Sequence, residues 1–531
     1  MPQTNTSQAD NKGCSRTDPE LSRKLASIAN GETLKYCYQC GTCTSVCPIS
    51  KFIGIYRPNK IMELCKLGIR DMPQSNAFLF CCACTLCTKG CPQGVKVHKI
   101  MQTMKELAVD DKNVEDFIAE HFDSTIQALG HAMPLPLIYS WICLRPPEKE
   151  GGTASAYDEA IKKALDRAMS RPVADAAVNT QPNAANNTSQ SRHSALDAES
   201  PATAKKVAVI GSGPAGLTAA WALAKAGLTV TVFESLPKAG GMLRTGIPGY
   251  RLPKDVLDFE IDNIKALGVE IRTNSAVDAV LFEKLVNDGQ YAAVFVATGS
   301  YKSRRLGLAN ENLNGVTTAV DFLKEYNLNG KAKVGKNVVV IGGGNVATDA
   351  AGAAVRSGAS SVRLFCLEDR KTMPAHEWEI DDAIADGVEI NPSWGPLELM
   401  SDGENGADGN GAEGKNVTGV KFIRCKSVLD KNGRFNPVFN DKETQEVEAD
   451  TVISAIGQGP DLSFLSQDVK IRTMRGAIQA DPYTMETNIP NVFAAGDAVS
   501  GTASLIEAIT GGKTAALSVL RYLALDCAGK E

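Results

Sequence analysis

Two short cysteine arrays with the same spacing constrain this chain more than any other feature of its sequence. The first reads CYQCGTCTSVCP and the second CCACTLCTKGCP, and both fit C-x2-C-x2-C-x3-C-P. Three closely spaced thiolates can bind three irons of one cubane, while a fourth cysteine, turned away by the following proline, reaches another cluster. The arrays therefore predict a domain with two [4Fe-4S] clusters. The predicted ligands are Cys37, Cys40, Cys43, Cys47, Cys81, Cys84, Cys87 and Cys91.

The crossing of the fourth cysteine predicts which thiolates share a cluster. One cluster is expected on Cys37, Cys40, Cys43 and Cys91, and the other on Cys81, Cys84, Cys87 and Cys47. Zinc is the alternative, but a zinc site does not need a third and fourth cysteine at this interval plus proline. Cys82 could compete with Cys81, although only Cys81 keeps the spacing of the first array. Cys65, in a helix-like stretch, is expected to be a buried thiol without a metal.

The distribution of cysteines and charge limits the class of protein. Of the 15 cysteines, eleven fall between Cys14 and Cys91, and none lies between Cys143 and Cys366. The N-terminal residues are polar and no later run has the ~20 apolar residues of a membrane span, which predicts a cytoplasmic protein without direct membrane insertion. A reducing compartment favours metal ligation over structural disulfides. A net charge of -5 argues against nucleic-acid binding.

Pattern changes along the chain predict a multidomain fold. An N-terminal α-helical two-cluster ferredoxin domain is expected to precede tandem α/β, Rossmann-like FAD and NAD(P) domains. Residues rich in Ala, Asn, Ser and Pro between these parts predict a flexible linker. The predicted segments are a polar stretch (1–32), the ferredoxin domain (33–170), the linker (171–204), the first part of the FAD domain (205–320), the NAD(P) domain (321–456) and the second part of the FAD domain (457–531).

The first glycine motif, GSGPAG, follows the strand-like VAVI and opens a helical pattern. Backbone N–H groups at such a helix N-terminus can hold a pyrophosphate. Gly211 suits the tight turn, Gly213 the approach of phosphate, and Gly216 the packing of helix on strand. Glu234, at the end of the next strand, is placed to bond an adenosine ribose. The motif residues are Gly211, Ser212, Gly213, Pro214, Ala215 and Gly216.

Two later segments indicate that the dinucleotide is FAD. NVFAAGDAVSG places Gly496 and Asp497 after an apolar strand, where the Asp497 carboxylate would accept a bond from the ribityl chain. VFVATGS, with Thr298 and Gly299, is typical of the strand and turn that close an FAD domain. The alternative is a plain Rossmann domain, but three segments in this order favour a flavin.

The second glycine motif, GGGNVA, fits G-x-G-x-x-A and suits a nicotinamide dinucleotide beside the flavin. The next strand ends LFCLEDR, where Glu368 could bond both ribose hydroxyls and repel a 2′-phosphate, whereas Arg370 could attract one. NADH is therefore favoured over NADPH. The motif residues are Gly342, Gly343, Gly344, Asn345, Val346 and Ala347.

No cysteine pair lies beside either motif, so a redox-active disulfide is not expected and electrons must leave the flavin by another route. The five histidines form no ligand set. No side chain is predicted to be catalytic, because hydride transfer between bound cofactors needs alignment and not a protein base.

Several segments resemble known families. Residues 205–531 resemble the small (beta) subunit of glutamate synthase and its relatives, through GSGPAG, AGGMLRTGIPGYRLPKDV, VATGS, GGGNVA, MPAHEWEI and FAAGDA. Residues 34–110 are similar to the iron–sulfur C subunit of heterodisulfide reductase, through CYQCGTCTSVCP, YRPNKIMELCKLGIRD and CPQGVKV. The first resemblance implies that Gly240, Gly241 and Arg244 approach the FAD. Relatives tend to place paired arginines where this chain has Leu367 and Glu368, which disfavours NADPH.

These observations predict an electron-transfer oxidoreductase. Hydride from NAD(P)H would reduce FAD, and single electrons would pass through two [4Fe-4S] clusters to a partner redox protein. A heterodisulfide reductase-like subunit is the partner that the resemblance implies, with a ferredoxin as another candidate. One alternative is an electron-bifurcating subunit; another is a non-catalytic electron-wire or scaffold subunit.

Overall fold

The computed structural model describes residues 31–52, 56–67, 80–81, 84–110, 205–402, 415–466 and 468–528, together with the single positions 23, 25, 27 and 169. The chain divides into two compact units, Met1–Thr180 and Gln181–Glu531. The predicted linker and residues 403–414 lie outside the described residues. Among the described helices, none is long and apolar enough to cross a membrane.

The described part of the first unit is helical, as predicted. Its elements are a 3-10 helix (Gly31–Tyr36) and the helices α1 (Thr42–Ser45), α2 (Pro48–Phe52), α3 (Pro58–Leu67), α4 (Leu86–Lys89) and α5 (Val97–Asp110). Helices α3 and α5 each bury an apolar face, with Met62 and Met101 fully buried. Cys65 on α3 is also fully buried. Burial raises the pKa of this thiol to about 12, so it stays protonated at neutral pH.

The two cysteine arrays fold in the same way. Helices α1 and α4 begin inside them, each preceded by a left-handed residue, Gly41 (φ 79°) or Thr85 (φ 62°). A threonine of each short helix then bonds the start of the next long helix. The Thr44 hydroxyl accepts from the backbone N–H of Asn59 at 3.0 Å, and the Thr88 hydroxyl accepts from that of His98 at 3.1 Å. Repeated spacing in the sequence thus becomes a repeated local structure.

The second unit contains two five-stranded parallel sheets, which fits the prediction of tandem Rossmann-like domains. The first sheet has the order β17-β4-β1-β2-β3, and its strands are mostly apolar apart from the short edge strand β3. Its elements are β1 (Lys206–Ile210), α6 (Pro214–Lys225), β2 (Thr229–Phe233), α7 (Met242–Thr245), α8 (Lys254–Ala266), β3 (Glu270–Arg272), α9 (Ala279–Asn287), β4 (Ala293–Val296), β17 (Val492–Ala494), α13 (Asp497–Ser500) and α14 (Leu505–Ala528). Strand β17 returns from the far end of the chain to lie beside β4.

The second sheet has the order β6-β13-β7-β8-β9. Its elements are β6 (Val316–Thr318), α10 (Ala319–Asn329), β7 (Asn337–Ile341), α11 (Asn345–Ser357), β8 (Ser361–Cys366), α12 (Glu377–Ala385), β9 (Glu389–Pro392) and β13 (Thr451–Ser454). Strand β6 precedes the predicted start of this domain at residue 321. It belongs here because its backbone pairs in parallel with β13.

An antiparallel sheet covers one face of the second parallel sheet. It consists of β10 (Trp394–Ser401), β11 (Val417–Leu429) and β12 (Phe435–Glu448). Phe365 of β8 and Phe422 of β11 stack with ring centroids 4.0 Å apart, within an apolar cluster shared by the two sheets. Two pairs of short strands complete the described elements. Strand β5 (Lys302–Ser303) pairs with β14 (Gln458–Gly459), and β15 (Thr473–Met474) pairs with its neighbour β16 (Ala477–Ile478) in one hairpin.

Candidate functional site

The thiols of the first unit form two groups that cross between the arrays. Cys37, Cys40 and Cys43 line one small cavity together with Cys91 of the second array. Burial, together with the neighbouring thiols of Cys37 and Cys40, raises the pKa of the Cys43 thiol to about 11. This grouping has the membership expected of the first cluster.

The second group also combines thiols from both arrays. Burial raises the pKa of the Cys87 thiol, and the nearby thiols of Cys81, Cys84 and Cys47 add to that rise. Burial likewise raises the pKa of Cys47, with a contribution from Cys84. Cys47 of the first array therefore faces the second array.

The chemistry of these donors fits iron–sulfur clusters. Two sets of four thiols, without a histidine or carboxylate among them, match the ligands that [4Fe-4S] clusters take. Among the described residues, no three His, Cys, Asp or Glu side chains stand close enough to bind one metal ion together. A cubane spreads its four thiolates further apart than a single ion with metal–sulfur distances of about 2.3 Å. Cys82 lies outside the described residues.

A cavity of about 720 Å³ in the second unit collects most of the residues predicted to bind FAD. It is lined from the first motif by Gly211, Ser212, Gly213, Pro214 and Ala215, and from other segments by Glu234, Gly241, Thr298, Gly299, Gly496 and Asp497. These segments converge because β1, β2, β4 and β17 are parallel neighbours whose carboxyl ends meet at one edge.

The glycines of the first motif differ in what an added Cβ would meet. Gly211 has φ 102°, and a Cβ there would lie 2.4 Å from the carbonyl oxygen of Ala297. A Cβ on Gly216 would lie 1.9 Å from the carbonyl oxygen of Gly211, so only glycine lets α6 pack this close to β1. Gly213 faces open space, which leaves room for a ligand to approach the N-terminus of α6.

Glu234 organises the loop around the cavity. Its carboxylate accepts bonds from the backbone N–H and the hydroxyl of Ser212, and from the backbone N–H of Leu236 at 2.8 Å. The Ser212 hydroxyl also accepts from the backbone N–H of Gly240 at 3.0 Å. The first motif, the end of β2 and the Gly240–Gly241 turn are thereby fixed together, with Glu234 buried at the cavity wall.

Arg244 does not reach the cavity. Its guanidinium donates to the carbonyl oxygen of Ala239 at 3.0 Å and pairs with Asp258, while the side chain is buried. Gly240 is also outside the cavity lining, whereas Gly241 belongs to it. The resemblance implied that Arg244 approaches the FAD; the structure places it behind the glycine turn, where it positions that turn.

Buried polar atoms at the cavity fit a polar cofactor. The Thr298 hydroxyl and the Gln458 side-chain oxygen are both buried and have no hydrogen-bond partner within the protein. Both residues line the cavity. Since buried polar groups are nearly always paired, these two atoms need a bound group that supplies partners. The shape, the glycine-lined helix N-terminus and these atoms together fit FAD.

Several cavity residues from α14 and from the second domain are not among those predicted from the sequence. Thr502, Ala503, Ser504 and Leu505 bring the N-terminus of α14 to the cavity, and Lys324 and Asp349 come from α10 and α11. The Ser504 hydroxyl caps α14 together with Glu507, a capping box that the sequence SLIE already contains. No local pattern signals the residues from α10.

The buried carboxylate of Asp497 should make the free energy of unfolding depend on pH. Burial raises its pKa from 3.8 to about 6. The unfolded chain therefore releases this proton at lower pH than the folded protein, and the free energy of unfolding falls as pH rises from about 4 to about 6. We expect Asp497→Asn to raise the unfolding free energy of the apoprotein at pH 7.5 by up to about 3 kcal/mol, since one pKa unit corresponds to about 1.4 kcal/mol. Thermal unfolding at several pH values measures this gain.

The gain should disappear near pH 4, where Asp497 is protonated in the folded protein. Asp468→Asn, the same change at an exposed aspartate, is the control and should leave stability almost unchanged at both pH values. A gain for Asp497→Asn that is independent of pH would contradict this account.

The second glycine motif opens α11 at the carboxyl end of β7. Gly342 has φ 141°, and a Cβ there would lie 2.4 Å from the carbonyl oxygen of Ala455. A Cβ on Gly343 would lie 2.9 Å from a carboxylate oxygen of Glu368, which places Glu368 beside the motif. Arg370 instead pairs with Asp381 at 3.0 Å on the surface.

Most of the second glycine motif lies outside the lining of the FAD cavity. Its three glycines, Asn345 and Ala347 do not line the cavity, whereas Val346 does.

A charged network joins the two domains beside the cavity. Arg251, from the loop after the Gly240–Gly241 turn, donates to Asp349 of α11 at 2.6 Å and pairs with Glu379 of α12. Burial raises the pKa of Asp349 to about 6, and Arg251 opposes that rise. The Arg251 guanidinium also lies 4.9 Å from the ring centre of Trp378. The network holds α11 next to the FAD cavity.

Comparison with known proteins agrees with this geometry. Residues 205–512 match the family described as "Pyridine nucleotide-disulphide oxidoreductase", and residues 36–96 match "4Fe-4S dicluster domain". The chain belongs to the pyridine nucleotide-disulphide oxidoreductase family. The predicted cofactors, FAD with NAD(P)H and two [4Fe-4S] clusters, are confirmed at the level of these families, as is the prediction of an oxidoreductase.

Three similar proteins are informative. The chain is 44% identical over 324 residues to the "NADP(+)-dependent formate dehydrogenase subunit beta" of Moorella thermoacetica, covering 60% of this chain and 44% of that protein. It is 30% identical over 470 residues to the "NADPH-Fe(3+) oxidoreductase subunit beta" of Geobacter sulfurreducens, covering 82% and 63%. It is 34% identical over 338 residues to the Escherichia coli "Glutamate synthase [NADPH] small chain", covering 60% and 69%.

These matches confirm the predicted resemblance to the glutamate synthase small subunit. The alignments span about half to two thirds of the first two relatives' length. The expected similarity to heterodisulfide reductase stays a prediction.

Two cysteines of the second unit are buried and form no disulfide. They are Cys366, beside Gly343, and Cys425, and burial raises the pKa of Cys366 to about 12. A buried, protonated thiol of this kind is a weak nucleophile, because the thiolate is the reactive form.

Proposed function

We propose that this chain is an electron-transfer subunit in which hydride from a nicotinamide dinucleotide reduces FAD, and single electrons leave through two [4Fe-4S] clusters to a partner redox protein. One observation carries the proposal. The FAD cavity is lined both by the first glycine motif and by Val346 and Asp349 of α11, which begins at the second motif. A nicotinamide dinucleotide held at that motif can therefore extend into the flavin cavity.

The residues of this chain contribute by holding the cofactors in place. When bound, FAD exchanges hydride with the nicotinamide, and each cluster carries one electron. Gly213 and the N-terminus of α6 would hold the FAD pyrophosphate, and Asp497 would accept a bond from its ribityl chain. The network of Arg251, Asp349 and Glu379 fixes α11 beside the cavity, so that the two bound cofactors meet in one geometry. No protein base is required.

An anaerobic titration tests this proposal. Purified protein is treated with NADH and separately with NADPH, while absorbance follows the flavin and electron paramagnetic resonance follows the clusters. Bleaching of the flavin together with cluster signals is the expected result. No response to either nucleotide would contradict the proposal and would favour a scaffold subunit.

For the electron donor we propose NADH in preference to NADPH, on the strength of the Glu368 carboxylate beside Gly343. The relatives compared above are named for NADP(H), so this residue is the point to test. We expect Glu368→Arg to lower kcat/KM with NADH and raise it with NADPH, each by about tenfold, or ~1.4 kcal/mol in transition-state binding. An arginine there would favour the 2′-phosphate.

Steady-state dye reduction with both nucleotides measures this preference. Glu389→Arg makes the same charge change at the exposed start of β9, at the end of the sheet away from the motif, and should leave the preference unchanged. An equal effect of the two substitutions would show that charge at a distance, not contact, sets the preference.

For the partner we propose another redox subunit, since two relatives are named as beta subunits. The similarity of residues 34–110 to a heterodisulfide reductase C subunit makes a heterodisulfide reductase-like protein the first partner to examine. Anaerobic co-purification from the source cells tests this, and recovery of a different stable redox partner would contradict it.

A further inference from the structure

The two thiol groups of the first unit differ in access to solvent. In the group of Cys37, Cys40, Cys43 and Cys91, Cys40 is exposed, two are half-buried and Cys43 is buried. In the other group, Cys47, Cys81 and Cys87 are buried and Cys84 is half-buried. A one-electron centre exchanges electrons with another protein from its most exposed edge, because the rate falls steeply with distance. The Cys40 edge is therefore the side for external exchange.

Three exposed aromatic and apolar side chains lie on the two segments that meet where Lys66 bonds Cys37. Tyr36, Tyr38 and Leu67 are 53%, 59% and 55% exposed, whereas such side chains usually contribute to a core. Tyr38 lines the same small cavity as Cys37, Cys40, Cys43 and Cys91. We name this surface, formed by Lys35, Tyr36, Tyr38, Lys66 and Leu67, the Tyr38 face. Aromatic side chains are enriched at protein interfaces relative to the rest of the surface.

The charge of the Tyr38 face is positive. Lys35 and Lys66 are both exposed, and the Lys66 ammonium donates to the carbonyl oxygen of Cys37 at 3.1 Å, which places this charge next to the first thiol group. The Lys35 ammonium lies 5.0 Å from the ring centre of Tyr36. Residues 31–110 contain ten Lys and Arg against five Asp and Glu, although the whole chain is acidic, with 56 against 61.

We propose that the Tyr38 face docks an acidic one-electron redox protein and exchanges electrons with it through the cluster of Cys37, Cys40, Cys43 and Cys91. This proposal rests on the proposed function and names the chemistry of the partner. One electron leaves the reduced cluster and reduces the partner's oxidised metal centre; no bond forms or breaks, and no proton is transferred. Opposite charges on the two faces accelerate encounter and fix orientation.

Two one-electron acceptors of opposite charge test the proposal. Cytochrome b5 is acidic and cytochrome c is basic. Binding of each to the cluster-loaded protein is measured by thermophoresis, at low and at physiological ionic strength, and NADH-driven reduction is followed in parallel. We expect cytochrome b5 to bind more tightly, with an affinity that falls with salt, as charge attraction requires.

Charge reversal locates the surface. Lys35→Glu should weaken cytochrome b5 binding by about tenfold and strengthen cytochrome c binding, and the double variant Lys35→Glu/Lys66→Glu should do so further. Because Lys66 bonds the Cys37 loop, iron content is measured for each variant, and Lys35→Glu alone keeps the test valid if the double variant loses iron. Lys431→Glu, in the exposed turn between β11 and β12, is the matched control.

The outcomes separate this inference from the proposed function. Equal affinity for the two cytochromes, or an equal effect of Lys35→Glu and Lys431→Glu, would overturn the docking face even if the protein reduces a dye with NADH. Absence of dye reduction by the unmodified protein would instead overturn the proposed function, while binding still reports on the Tyr38 face.

Discussion

Cys47→Ser is expected to abolish the cluster at Cys81, Cys84 and Cys87 of the second array. The cluster at Cys37, Cys40 and Cys43 of the first array should remain. Cys47 faces Cys84 and Cys87, and a serine in place of one of four thiolates removes a strong ligand. About half of the bound iron should be lost, and one of two sets of paramagnetic signals should vanish on reduction. Cys91→Ser should remove the other set. Iron analysis and electron paramagnetic resonance of both variants measure this.

The contrast between these two variants is what tests the crossed assignment. If each array held its own cluster, Cys47→Ser would abolish the same signals as Cys37→Ser, and the crossed assignment would be wrong. Cys65→Ala is the matched control, since Cys65 is buried in α3 and belongs to neither thiol group. It should keep both clusters. FAD content should stay normal in all variants, because the flavin cavity is in the other unit.

Gly213→Ala is expected to lower the affinity for FAD by about 10- to 100-fold without unfolding the second unit. A Cβ at this position meets no protein atom within 4 Å, and the backbone there is extended, with φ -69° and ψ -179°. The methyl group would occupy only the space where the pyrophosphate approaches α6. Overpacking of this kind costs about 1–3 kcal/mol. FAD content after dialysis and fluorescence titration of the apoprotein measure the loss.

Two other glycines make the result specific. Gly249→Ala adds a methyl group in open space outside the cavity and should keep full FAD content. Gly216→Ala would force a contact of 1.9 Å with the Gly211 carbonyl oxygen and should destabilise the fold itself, with loss of thermal stability. If Gly213→Ala binds FAD as tightly as Gly249→Ala does, the proposed pyrophosphate position is wrong.

Local patterns in the sequence predicted much of the fold and of the candidate site. The strands before both glycine motifs, β1 and β7, are where their apolar runs place them, because a strand buried on both faces must be apolar along its length. Glycine spacing was equally informative at Gly211 and Gly216, since steric exclusion of a Cβ is a local property of strand, turn and helix.

Local sequence patterns did not predict a residue's role where that role depends on a distant segment of the chain. Arg244 lies in the segment AGGMLRTGIPGYRLPKDV, yet its guanidinium pairs with Asp258 and the residue does not line the cavity. Strand β6 has three residues, too few for a periodic signal, and only pairing with β13 assigns it to the second sheet. In the sequence, nothing distinguishes Asp349 from the other residues of α11. Its role in the charged network depends on Arg251, about a hundred residues earlier in the chain, which donates to its carboxylate.

The sequence by itself determined the number and kind of cofactor sites, because cysteine and glycine spacings are set by metal coordination and by the sterics of a turn within a few residues. Only the tertiary structure decided which helices complete the flavin cavity and which cluster edge is open to solvent. These properties arise from contacts between segments far apart in the chain, and side-chain packing and burial, not local propensity, determine such contacts.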